Sequence, residues 1–125
     1  MILGDGEIQE GQIWEAAIFA ANNNLDNLCA FIDYNKLQLT SKVEDVFGKC
    51  NLLSVWTDLG WQCLEIDGHD FEEIDMAVKF KSGKPKVIIA HTIKGKGVSF
   101  MENKIEWHSK KISEEEFEKA MLELR

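Results

Sequence analysis

Only one proline, Pro85, occurs among the 125 residues, and there is no internal repeat, low-complexity tract or linker-like stretch. Those absences leave one domain, long enough to bury a real core and too short for two independent ones. Long hydrophobic runs are missing as well. No apolar stretch reaches the ~18 residues a membrane span needs, and the opening residues lack the basic flank and apolar core of a secretory signal, so a cytoplasmic protein is expected. Cysteine is scarce: Cys29, Cys50 and Cys63 are odd in number and show no C-x-x-C spacing. That points to buried or half-buried free thiols rather than a disulfide framework or a zinc site. Positive charge is in deficit, with a formal net charge of -8. Broad nucleic-acid binding relies on Lys and Arg neutralising phosphates and is disfavoured. The basic groups that exist are concentrated: Lys79 to Lys111 holds nine Lys against Glu102 and Glu106, while the rest of the chain holds five basic and twenty acidic residues. Such asymmetry can draw a small anion towards one region of an acidic protein.

What is present alternates in type. Met1-Ile2-Leu3 reads as a short strand closed by Gly4-Asp5-Gly6. Ile13 to Ala21 is Ala-rich and favours helix, ended by Asn22-Asn23-Asn24. Leu28 to Asp33 is a near-continuous apolar run of strand length, as suits a parallel strand covered on both faces. A helix follows from Leu52 to Leu59, then a strand from Trp61 to Ile66 and a helix to about Lys81 with Asp70 as N-cap and Glu73 at capping-box spacing. Lys86 to Thr92 is the clearest strand. A last helix, Glu114 to Leu124, has Ser113 as N-cap, Glu116 at N3 and Ile112 placed to staple onto Phe117. This alternation predicts an α/β fold with a doubly wound, mostly parallel sheet.

In such sheets ligands sit outside the carboxyl ends of the strands. If the first two strands are neighbours, as a β-α-β crossover usually makes them, their ends lie about 4.8 Å apart, and Asp5 and Asn35 can then share one cation. A hard cation such as Mg²⁺ takes one or two carboxylates together with other oxygens and substrate phosphate. Gly4 and Gly6 are expected to allow close backbone approach and positive φ. The helix that begins nearby directs N–H groups at an anion. His69, at a helix start, and His91, at the end of a buried strand, read as structural histidines, the latter as a satisfied core residue.

Gly4 to Gln38, "GDGEIQEGQIWEAAIFAANNNLDNLCAFIDYNKLQ", resembles the thiamin diphosphate motif, which opens with GDG and ends with Asn about thirty residues later. The chain is specifically similar to the transketolase family and, within it, to the separately encoded N-terminal subunit. "DGHD" at Asp67 to Asp70, "HTIKGKGVSFMEN" at His91 to Asn103 and "WHSK" at Trp107 to Lys110 extend the resemblance over nearly the whole chain. Ser109 follows His108 where the family commonly has Gly.

The resemblance implies that residues 1–125 form the C-terminal portion of a thiamin diphosphate-binding domain, clipped at its N-terminus. It implies that Asp5 and Asn35 ligate Mg²⁺ or Ca²⁺ with the backbone carbonyl of Leu37, and that Gly6 contacts the diphosphate. Glu10 corresponds to a buried interface glutamate that helps couple paired sites. Lys94 and His108 line the cofactor diphosphate and the reaction channel, with His108 the candidate catalytic proton carrier. The implied activity is transfer of a two-carbon ketol unit between sugar phosphates of pentose phosphate metabolism. It would need a C-terminal transketolase subunit, in a homo- or hetero-oligomer, and further polypeptide. The alternatives are a non-catalytic remnant or assembly module, or part of another thiamin diphosphate enzyme such as 1-deoxyxylulose-5-phosphate synthase. Without its covering elements, the sheet is expected to leave Leu3, Trp14 and Ile18 bare.

Overall fold

A computed structural model describes residues 1–125. Four strands, β1 (Ile2–Gly4), β2 (Cys29–Tyr34), β3 (Gln62–Asp67) and β4 (Lys86–His91), form one all-parallel sheet in the order β1-β2-β4-β3. The helices are α1 (Gly11–Asn22), α2 (Val43–Phe47), α3 (Leu52–Asp58), α4 (Phe71–Lys79) and α5 (Glu114–Glu123), with 3₁₀ turns at Glu7–Gln9 and Ile105–His108. No helix is long and apolar enough to cross a membrane.

The strand order and one handedness rule fix which face each helix covers. Parallel crossovers are right-handed, so steps in the same direction across the sheet put their helices on the same face. The steps β1 to β2 and β2 to β3 run one way and β3 to β4 runs back. α1 and α3 therefore share a face and α4 takes the other. The core divides accordingly. Ala17 and Ala20 of α1 and Trp56 of α3 pack with Ala30, Ile32, Val87 and Ile89, while Ala77 of α4 packs with Ile66, Ile88 and Ala90. Alternate residues of β2 and β4 thus serve opposite layers, which is why both read as continuous apolar runs. Burial of one large apolar side chain contributes about 1.5–3 kcal/mol. Trp56 anchors the larger layer, its ring 5.3 Å from Trp14 and 4.9 Å from Trp61 between centroids.

Several expectations change in detail. Leu3 is 4% exposed and Trp14 half-buried, because both pack into the larger core layer, Trp14 against Trp56; of the three residues expected bare, only Ile18, at 47%, is exposed. Ser113 and Glu116 form the reciprocal capping box. At α4 the box is only half made. Asp70 accepts from the N–H groups of Glu72 and Glu73, but Glu73 reaches back past the cap to the N–H of Asp67, at 2.7 Å. Ile112 and Phe117 stay 44% and 49% exposed, so any staple there buries them only in part.

Three of the nine lysines in the basic segment make structural contacts. Lys86 is 7% exposed and its ammonium donates to the carbonyls of Ala77, Val78 and Phe80 at 2.7–2.8 Å. All three of its protons are thereby used on the otherwise unpaired end of α4, where the helix dipole favours a cation. Lys79 pairs with Asp75 and Lys110 with Glu116. The three cysteines are half-buried and free, and burial pushes the Cys63 thiol up from its ordinary pKa.

Candidate functional site

Because all four strands are parallel, their carboxyl ends gather on one side of the sheet. Gly4 lies in register with Asp33, and Tyr34 and Asp67 both lie in register with His91. The chain leaving β1 and the chain leaving β2 consequently meet. Asp5, one residue past β1, is 2% exposed, and its Oδ2 accepts from the backbone N–H groups of Asn35 and Lys36 at 2.8 Å each. The β2 end turns sharply, with Lys36 at φ 65°. Asn35 Oδ1 accepts from the N–H of Leu37 at 3.0 Å. The Leu37 carbonyl accepts no backbone hydrogen bond.

Asp5 is the electrostatic centre. Burial pushes its carboxyl from 3.8 up to about 6, against the lowering effect of the two backbone donors and with a smaller upward push from Asp33. Its second oxygen, Oδ1, is buried with no hydrogen-bond partner. A buried carboxylate oxygen without a partner costs free energy that a cation removes. Asp5 Oδ1, the remaining lone pair of Asn35 Oδ1 and the Leu37 carbonyl are all hard oxygen donors, the set that suits Mg²⁺ or Ca²⁺ and leaves places for phosphate oxygens. No cluster of three or more His, Cys, Asp or Glu competes as a metal centre.

Beside these residues lies a cavity of about 630 Å³, bounded by Tyr34 to Leu37 and by the segment from Lys42 to Cys50, with Ile8, Leu52 and Asn103 also contributing. Lys36, Lys42 and Lys49 line it against the single acid Glu44. The local excess of positive charge therefore comes from residues 36 to 49. The lysine-rich segment read from the sequence contributes only Asn103. Within that segment Lys79, Lys86 and Lys110 are held in contacts of their own, away from this cavity.

The other predicted residues are placed less closely. Lys94 is half-buried, and its carbonyl accepts from the N–H of Asn103, the residue that joins the cavity wall, at 2.9 Å. Glu10 is the exposed N-cap of α1 and makes no capping hydrogen bond. His108 is exposed in the Ile105–His108 turn. Gly6 adopts φ −78° and Gly4 is not at positive φ either, so the expected left-handed glycines are not found. A Cβ on Gly6 would meet only the Gln38 side chain, at 3.7 Å, an ordinary contact. His69 is structural as expected, its Nε2 accepting from the N–H of Ile93 at 2.8 Å. His91 is not a core residue: its side chain is 44% exposed and sits 3.0 Å from Glu65, because it emerges from the sheet at the last position of β4.

Comparison with known proteins returns a match over residues 1–124 to the family model described as transketolase, thiamine diphosphate binding domain. The chain is 47% identical to a 6-deoxy-6-sulfo-D-fructose transketolase subunit of Clostridium sp. (strain MSTE9), covering 98% of this chain and 46% of that subunit. It is 39% identical to an apulose-4-phosphate transketolase subunit of Phocaeicola vulgatus, over 99% of this chain and 45% of that protein. Human transketolase is 36% identical over 98% of this chain, which spans 20% of that enzyme. Among solved structures, transketolase of Campylobacter jejuni superposes with a TM-score of 0.89 at 33% identity, covering 98% of this chain and 20% of the other. The chain thus spans less than half the length of the subunits it matches.

Proposed function

The chain belongs to the transketolase family, as a section of its thiamine diphosphate-binding domain, and from that premise we propose that it supplies the metal and diphosphate end of a transketolase active site. The observation that carries this reading is the buried, unpartnered Oδ1 of Asp5 beside Asn35 and the open Leu37 carbonyl. In this reading Asp5, Asn35 and the Leu37 carbonyl hold Mg²⁺, and Gly6 keeps the approach to the diphosphate free of a side chain. The cavity lysines add positive potential, which is strongest where low-dielectric walls exclude water. Lys94 approaches the same anion from the loop after β4. His108 moves a proton near the reacting carbons, a task its imidazole can perform by giving and taking a proton. Glu10, exposed here at the start of α1, faces a second polypeptide and couples paired sites.

Thiamin diphosphate, when bound, supplies the electron sink for carbon–carbon cleavage. The residues described above grip only its diphosphate end, so the rest of the cofactor must be held by other polypeptide. We assign that role to a C-terminal transketolase subunit together with the part of the domain that lies outside the matched section. The substrate class is a ketose carrying a phosphate or another anionic group, donating a two-carbon ketol unit to an aldose. Support comes from the relatives, which are named for a sulfonated ketose and for a sugar phosphate.

The test is calorimetry with thiamin diphosphate and Mg²⁺ on a transketolase subunit whose matching section is replaced by these 125 residues. Asp5→Ala should abolish most of the magnesium-dependent affinity, and Asp26→Ala, in the exposed α1–β2 connection, should leave it intact. Equal affinities would refute the assignment.

A further inference from the structure

The two halves of the proposed metal site come from chain segments thirty residues apart, so something must keep the loop after β2 closed over the turn after β1. Asp5 provides one fastening, through the N–H groups of Asn35 and Lys36. A second lies on the far side of the Leu37 carbonyl. Gln9 Nε2, on the last residue of the Glu7–Gln9 turn, donates to Gln38 Oε1 at 2.7 Å, in a half-buried position. The loop beyond is folded on itself, with the N–H of Gln38 donating to the Ser41 carbonyl and the N–H of Val43 donating to that of Lys36. The turn itself is held at its start, where Glu7 accepts from the N–H of Gly4 at 2.7 Å.

We propose that Gln9 and Gln38 are positioning residues that latch the Asn35–Gln38 loop onto the Gly4–Gln9 turn and so hold the Leu37 carbonyl in place for the metal. The proposal rests on the reading of Asp5, Asn35 and Leu37 as metal ligands. Asp5 alone fastens only the near end of the loop. Lys36 stands at φ 65°, a conformation a lysine adopts at some cost, so a loop fixed at one end only can relax by swinging Leu37 away. The amide pair sits one residue past Leu37 and opposes that motion. A site whose competent form is only partly populated binds its ligand more weakly in proportion to the fraction lost.

The test reads the loop and the ligand separately, in the 125-residue chain. Hydrogen exchange of the Lys36 and Leu37 amides reports loop opening. Gln9→Leu, Gln38→Leu and the double variant should each speed it about five-fold, the equivalent of the ~1 kcal/mol net worth of one hydrogen bond. The double variant should be no faster than either single one, because all three remove the same bond. Exchange at Ile88 and Ile89 in the sheet centre should not change. The apparent Kd for Mg²⁺ with inorganic pyrophosphate, followed by amide shifts of Lys36 and Leu37, should rise about two- to five-fold, the loop of the variants being open for an appreciable fraction of the time. Unchanged loop exchange, an additive double variant, or a rise spread evenly through the sheet overturns the latch. If the wild-type shifts ignore Mg²⁺ and pyrophosphate, the metal reading fails, and the latch as a device for metal binding fails with it. Faster loop exchange at unchanged Kd overturns the latch alone.

Discussion

Replacing Asp5 by Asn keeps the shape of the side chain and removes its charge, so it separates what burial costs the fold from what the carboxylate contributes to the site. The folded-state pKa of Asp5 is raised from 3.8 to about 6. Each unit corresponds to ~1.36 kcal/mol, so the ionised form costs the metal-free fold about 3 kcal/mol at pH 7. The sign follows from proton binding: between these two pH values the folded chain holds more protons than the unfolded one, and stability falls as pH rises. By pH 4.5 about 1 kcal/mol of that penalty is already present, leaving about 2 kcal/mol to develop up to pH 7.5. Asp5→Asn never ionises. Its carbonyl still accepts from Asn35 and Lys36, while its amide N–H₂ occupies the unpartnered position, a pH-independent cost of ~1–3 kcal/mol. Urea unfolding with a chelator present, at pH 4.5 and 7.5, should show the variant gaining about 2 kcal/mol relative to wild type between the two values. With Mg²⁺ and thiamin diphosphate the variant, in the hybrid subunit used for calorimetry, should lose its magnesium-dependent stabilisation. A stability difference that stays constant from pH 4.5 to 7.5 would show that Asp5 is not the strained carboxylate described above.

Lys86→Met should destabilise the chain by ~2–4 kcal/mol in urea titrations, because three carbonyls at the end of α4 lose a charged donor; a loss under 1 kcal/mol would mean water replaces the ammonium. Gly95 stands at φ 74° with a hypothetical Cβ 2.7 Å from the Met101 backbone, so Gly95→Ala should cost more than ~1–3 kcal/mol, the usual range for overpacking. A smaller loss would show that the loop yields. Ile2 at 78%, Phe71 at 85% and Leu122 at 67% exposure leave bare apolar surface, and the isolated chain should self-associate in sedimentation velocity. A monodisperse monomer that binds no hydrophobic dye would contradict this.

The sheet was legible because burial on both faces writes itself as an apolar run. Ala30 to Ile32 and Val87 to Ala90 announce central strands, and the crossover rule then places Asp5 beside Asn35 without further information. α2 was not legible: five residues, Val43 to Phe47, with no side-chain cap and no buried residue, hold their shape through the surrounding chain rather than through any local signal. Lys86 was read as an ordinary strand residue, since nothing in its neighbours shows that the end of α4 arrives above it. The cavity lysines were missed for the same reason. Lys36, Lys42 and Lys49 converge only because the β2–α3 connection folds back, whereas the denser lysines from 79 to 111 looked more significant and are partly used in caps and ion pairs. The turn glycines misled in another way. Positive φ is one reason for glycine at a site and open approach is another, and the sequence does not distinguish them.

The placement of the metal can be read directly with Mn²⁺ in place of Mg²⁺, by following paramagnetic broadening of the backbone amides in the presence of pyrophosphate. The account predicts that Gly6 and Asn35 to Gln38 broaden first, while Asn27 and Lys84, beyond the amino ends of β2 and β4, stay sharp. Broadening centred on another acidic stretch, such as Glu114 to Glu116, with the Asp5 turn untouched, would contradict it.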